Sequence, residues 1–195
     1  MRYYTSLHVH NGDRDAVRAL ASELIEPGLD AYLVESQGWT SLYSARLEEQ
    51  TIADVDALAM PLTRLGPAVA FMVHDDAALA VAVGGDGART ALNADDPEAF
   101  GLEPEPLASN DELAAALETE PAITNVALTG GNASARVAGL AALLGVQMEL
   151  ACAGYDDLAE LDEDGELPEE FEMIEGPDAG RPGLSEFFGH PEHEP

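Results

Sequence analysis

His8-Val9-His10 sets two imidazoles on alternate residues of a segment with strand composition. Alternate strand residues share a face, with Cα atoms roughly 6.6 Å apart. Two rings so placed can begin a metal site, because both can reach one ion. His74-Asp75-Asp76 is the other internal histidine with carboxylates beside it. If the two segments are antiparallel neighbours and His10 lies opposite about Ala68, then His74 lies opposite about Tyr4. His8 and His74 are then separated by about 13 Å along the sheet, too far to share an ion. No metal is assigned, and His8 and His10 are the pair from which a site would start.

Three further motifs bear on chemistry. Thr129-Gly130-Gly131-Asn132 opens a helical pattern and is followed by Arg136. Helix N-termini attract anions, but the run lacks Lys-Ser/Thr and fits neither common phosphate fingerprint, so capping by Asn132 accounts for it. Glu160-x-Asp162-x-Asp164-Gly165 has the form of the first half of a calcium loop. Its twelfth position is Phe171 where a bidentate Glu belongs, which leaves a solvated acidic turn. Cys152 lies in the apolar run Leu-Ala-Cys-Ala-Gly with no base nearby to activate it. No nucleophile, cofactor or catalytic residue follows from these patterns.

The elements that must position the histidines are legible from period and punctuation. Residues 2–10 alternate as a strand, with Leu7 and Val9 on one face and Tyr4, Ser6, His8 and His10 on the other. Asn11-Gly12-Asp13 turns the chain into a helix carrying Val17, Leu20, Leu24 and Ile25. Ala31–Ser36 and Trp39–Ser44 read as a hairpin around Gln37-Gly38. Thr51 caps a helix that Pro61 weakens. Ala68–His74 and Ala78–Val83 are apolar strands, and Gly84 to Gly87 turns toward a short strand at Ala88–Leu92. The order predicts an α+β fold: a ferredoxin-like βαββαβ antiparallel sheet with an added hairpin, followed by a more helical, acidic C-terminal half.

Within that second half, the Ser109–Glu112 capping box predicts a helix with Leu113 and Leu117. Ile123–Leu128 and Gln147–Cys152 read as strands, and Asn132 starts a helix that Gly145 stops. Residues 156–178 hold twelve acids and no base and read as solvated loop. Leu184, Phe187 and Phe188 give the tail an apolar side that could dock. Boundaries fall at 1–92 for the sheet half, 107–155 for a helix-rich half packed on it, and 156–195 for an acidic loop and tail.

Charge is the strongest compositional signal. Thirty-eight acids face eight arginines and no lysine, for a net charge of −30. Such a field repels nucleic acids and anionic membranes. Residues 1–100 carry 16 acids and 6 arginines, and residues 101–195 carry 22 acids and 2 arginines, so the second half holds twice the net charge of the first. The composition resembles that of proteins from extreme halophiles; an acidic surface for a basic partner, or cation binding with codon bias, would also produce it. One cysteine, no run of roughly 20 apolar residues and no signal-like start predict a soluble, cytoplasmic protein. Leu7–Asp13 resembles the opening of PHP-type metal phosphoesterases, but that family's later histidine and acid motifs have no counterpart here, so no site residue is carried over.

With Leu7, Val9 and Leu42 turned toward the helices, Tyr4, His8, His10, Trp39 and Tyr43 all face the other way. A sheet face so rich in rings must meet something: the second half of the chain, a second copy in a homodimer, or a ligand. The sequence therefore predicts a non-catalytic protein that binds a protein partner or small ligand through this face, in the manner of an inhibitor or immunity protein. A metal-dependent hydrolase built on His8 and His10 is one alternative, and a salt-adapted structural domain without a ligand is another.

Overall fold

Asp13 starts the first helix as the pattern requires, its carboxylate accepting from the amides of Asp15 and Ala16. Thr51 does the same for the second, accepting from Asp54 N. In the computed structural model, which describes residues 3–10, 13–84, 88–102 and 107–176, these two helices are α1 (Arg14–Leu24) and α2 (Ile52–Leu62). The strands around them are β1 (Tyr3–His10), β2 (Asp30–Ser36), β3 (Trp39–Ser44) and β4 (Ala68–His74), with a 3-10 turn at Ala45–Glu49. β5 (Ala77–Val83) and β6 (Arg89–Ala94) follow, then α3 (Asn110–Ala116), α4 (Pro121–Thr129), α5 (Ala133–Leu144), α6 (Met148–Ala151) and α7 (Tyr155–Glu163). β7 (Glu172–Glu175) closes the described chain. The fold is α+β, with one seven-stranded sheet in the order β6-β5-β4-β1-β3-β2-β7 and every pairing antiparallel.

Both faces of the sheet are covered. Leu7, Val9, Leu33, Leu42, Ala70 and Met72 pack with Val17, Val55 and Leu58 of α1 and α2. Tyr4, Val69, Phe71 and Val73 pack on the opposite side with Leu113, Val137 and Leu140 of α3 and α5. A sheet buried on both faces needs strands that are apolar throughout, and β4 and β5 (Ala-Val-Ala-Phe-Met-Val-His and Ala-Ala-Leu-Ala-Val-Ala-Val) have that character.

Four expectations are corrected. Ile123–Leu128 is not a strand but lies within α4. Pro121 is well suited to the first helical position, the Thr124 hydroxyl bonds back to Glu120 O at 3.1 Å, and only Thr124 is buried. Ile123 and Val126 point outward, so their strand preference decides nothing. Gln147–Cys152 is also helical: Gly145 ends α5 in the left-handed conformation (φ 76°), and a new short helix, α6, starts at Met148 with Gln147 as its N-cap. Residues 156–178 are not all loop. α7 (Tyr155–Glu163) takes up the start of that acid run, where Asp156 and Asp157 suit the positive end of the helix dipole, and β7 buries Ile174 against the β2 edge. The β1–β4 register is displaced by one residue, pairing Tyr3 with His74 and Val9 with Ala68.

A one-residue slip exchanges the faces of a strand. In β4, apolar on both sides, no polar residue could fix the choice from sequence. Residues 11, 12, 85–87 and 103–106, which include parts of two expected turns and of the Asn93–Pro106 boundary, lie outside the described residues, as does the tail with Leu184, Phe187 and Phe188.

Candidate functional site

The ring-bearing sheet face is the candidate site, and it is read outward from its centre. His8 is fully buried. Its Nε2 lies 3.0 Å from Ser6 Oγ and its Nδ1 2.8 Å from Ser41 Oγ. The Ser6 hydroxyl donates to Ala151 O at 3.0 Å, so it can only accept from His8, which places the imidazole proton on Nε2. Nδ1 then accepts from Ser41. Burial holds the imidazole neutral, its pKa lowered to about 3. Both nitrogens are committed within the fold, and neither is offered to an ion.

The neighbouring rings also turn their polar tips to the covering layer. Tyr43 donates to Leu150 O at 2.7 Å, and Trp39 Nε1 donates to Leu144 O at 3.0 Å. Leu144 ends α5, and Leu150 and Ala151 end α6. The last carbonyls of a helix have no partner inside it. Here Trp39, Tyr43 and Ser6 supply the donors from the sheet. Tyr4 is buried in the same layer, where Gly154 passes so close that an added Cβ would sit 2.8 Å from the Tyr4 Cβ. The amide of Tyr155, starting α7, donates to Glu48 Oε1 at 2.7 Å, tying this layer to the 3-10 turn. Desolvation raises the Glu48 carboxyl to about 7.

The second half of the chain therefore covers Tyr4, His8 and Tyr43, and a metal site begun by His8 has no geometry to support it. Among the described residues no three histidine, cysteine or acidic side chains are grouped to hold an ion. His10 and Trp39 differ from the rest. They pair across β1 and β3 at the end of the face, with ring centroids 4.6 Å apart and planes 34° from parallel. Both line an open groove of about 630 Å³. Its floor comes from Ala68 and Val69 of β4 and Ala82 and Val83 of β5, its far wall from Leu143 and Leu144, and its rim from Leu117–Thr119 after α3. No arginine is among its described lining residues.

His74 lies on the α1/α2 side of the sheet instead, edge-on to Tyr3 at 4.5 Å and hydrogen-bonded through Nδ1 to Gln50 at 2.9 Å. Asn132 caps α5 as expected, accepting from Ala135 N at 2.9 Å. Sequence reading missed the groove's Leu117–Thr119 rim. The signal was present: the Ser109–Glu112 box starts α3, and Pro121 restarts the chain as α4, leaving a tight connection between them. Arg136 was noticed only as an anion aid; it serves as a clasp, pairing with Asp95 at 2.5 Å across the layer boundary. No family model matches the chain, and no curated protein or solved structure is significantly similar to it.

Proposed function

We propose that this chain is a non-catalytic small-ligand-binding protein whose site is the groove at His10 and Trp39. Its core is the ferredoxin-like βαββαβ arrangement, β4-β1-β3-β2 in space, extended by β5 and β6 on one side and β7 on the other. One observation carries the functional reading: of the five ring-face residues only His10 and Trp39, the latter 8% exposed, line a mostly apolar groove, and their rings lie together at its wall, tilted by 34°. Ligand pockets are usually of roughly 300–1,000 Å³, mostly apolar, with a few polar groups that orient the ligand. The groove has that size and lining. Covering of Tyr4, His8 and Tyr43 favours a small ligand over a macromolecular partner at this face.

The Trp39 ring selects planar molecules, and a net charge of −30 with no arginine among the groove's described lining residues disfavours anions. The ligand class is therefore a planar heteroaromatic compound, uncharged or cationic. Trp39 is the only tryptophan, so its fluorescence reports on the site alone. Titration with planar heteroaromatics matched in shape but neutral, cationic or anionic gives saturable quenching with the first two. Calorimetry with Trp39→Leu shows that binding lost. Equal binding of the anionic member, or no saturable change with any, would reject the reading.

A further inference from the structure

His74, which the His10–Trp39 groove leaves unused, is oriented by the fold. Gln50, in the left-handed conformation (φ 52°), ends the 3-10 turn Ala45–Glu49. Its amide nitrogen donates to Val73 O at 2.8 Å and to Tyr4 O at 3.2 Å. Gln50 Oε1 can then only accept, and it accepts from His74 Nδ1 at 2.9 Å. The lone pair of the neutral ring therefore sits on Nε2. That nitrogen has no hydrogen-bond partner among the described residues and is not sealed within the fold.

His74 lines a pocket of about 740 Å³, a volume within the usual range for ligand sites. Tyr3 stands edge-on to the imidazole, and the Phe100 ring lies 6.2 Å from it on the pocket wall. Glu48, Glu49 and Asp156 bring three carboxylates to the same wall, and no arginine is among its described lining residues. None of the three forms an ion pair among the described residues. Glu48 is the most enclosed of them, and its ionised form has amide donors but no counter-charge. A carboxylate withdrawn from water without a cation is costly. A metal ion does not answer that need, since the described acceptors are not grouped closely enough to hold one. An organic cation does: its charge and N–H donors sit on a larger body, and aromatic rings beside carboxylates favour it.

We propose that this pocket is a second binding site, taking a primary ammonium ion on a small apolar body, with the ammonium donating to His74 Nε2 and pairing with Glu48 while the body lies against Tyr3 and Phe100. The site is independent of the His10–Trp39 groove. Calorimetry of the full chain with cyclohexylammonium and with cyclohexanol tests it. At pH 8 an ordinary imidazole is neutral and an alkylammonium charged, and about 0.15 M salt screens the general field of the protein. Cyclohexylammonium binds on the order of 10-fold more tightly than cyclohexanol, the worth of one charge-assisted hydrogen bond. It shifts the His74 Nε2 signal saturably in nitrogen-detected NMR and leaves Trp39 fluorescence unchanged. His74→Phe and Glu48→Gln each remove the preference, whereas Glu23→Gln, at an exposed position of α1, does not. Glu48→Gln can still accept from Tyr155 N, so the test survives if His74→Phe fails to fold. Equal binding of the two probes, a preference that outlasts either pocket substitution, or an equal loss in Glu23→Gln would overturn the proposal. So would the absence of saturable binding, or a response at Trp39 in place of His74.

Discussion

The two faces of the sheet are built on different principles. Toward α1 and α2 the sheet presents Leu7, Val9, Leu33, Leu42 and Met72, and the contact is mainly apolar, with the small hydroxyls of Thr5 and Thr40 buried among them. Toward α3–α7 it presents Tyr4, Ser6, His8, Trp39, Ser41 and Tyr43 among alanines. The first face is held by area removed from water, which is indifferent to direction. The second is held in register by hydrogen bonds from ring and hydroxyl tips to particular carbonyls at the ends of α5 and α6. Side chains of mixed size pack less completely, and the groove lies on that second face. Burial supplies stability on one side and directional bonds fix register on the other; open space is found on both, since a pocket of about 740 Å³ lies beside Tyr3 and His74 on the first.

Breaking the apolar face has the largest effect. Leu42→Ala removes a fully buried side chain and costs about 2–5 kcal/mol, measured as a shift in the urea midpoint, with both faces unfolding together. The acid limb of stability comes next and belongs to the second face. His8 has its pKa lowered to about 3 in the fold, against 6.5 unfolded. The unfolded chain therefore binds the proton more readily, so stability is full above pH 6.5 and is lost as pH falls toward 3. That loss is on the order of 4 kcal/mol. His8→Gln is less stable at neutral pH but shows a flatter slope through that window.

Smaller again is Tyr43→Phe, which removes the short hydroxyl bond to Leu150 O and leaves the long Ala153 amide contact at 3.5 Å, at a cost of about 1 kcal/mol. Hydrogen exchange should speed up in α6 before α1 or α2, which would sharpen the contrast between the faces. Glu48→Gln gives the smallest change and one of opposite sign. Burial raises the Glu48 carboxyl to about 7 from 4.5, so its protonated form is favoured in the fold. That contribution is full below pH 4.5 and is lost as pH rises through 7. Glu48→Gln, whose amide oxygen can still accept from Tyr155 N, therefore gains on the native chain in thermal midpoint as pH rises across that range.

How legible all this was depended on the face. Every strand of the first half and both of its helices could be placed from alternation, caps and turns, because Leu7, Val9, Val17 and Val55 repeat at the period of their elements. The side of β1 carrying His8 was also correctly placed. Its cover was expected to be the second half of the chain, a second copy or a ligand, and α3–α7 lie there. His8, Ser6 and Ser41 look like an exposed polar face in one dimension, yet they satisfy one another once brought together across β1 and β3. The unbroken apolar runs of β4 and β5 did signal a sheet covered twice. In the second half Ile123, Val126 and the acids after Gly154 misled for one reason. Local preference was read where tertiary packing decides, and a short helix such as α6 offers too few residues for a period to show.

The second face depends most directly on His8 being sealed and neutral between two serines beneath the second half of the chain. Nitrogen-detected NMR of the imidazoles between pH 7 and pH 4 tests this directly. His8 is expected to remain a single neutral species protonated on Nε2, with Nδ1 accepting a hydrogen bond, throughout that range. A His8 ring that titrates near pH 6.5, or that carries its proton on Nδ1, would contradict it.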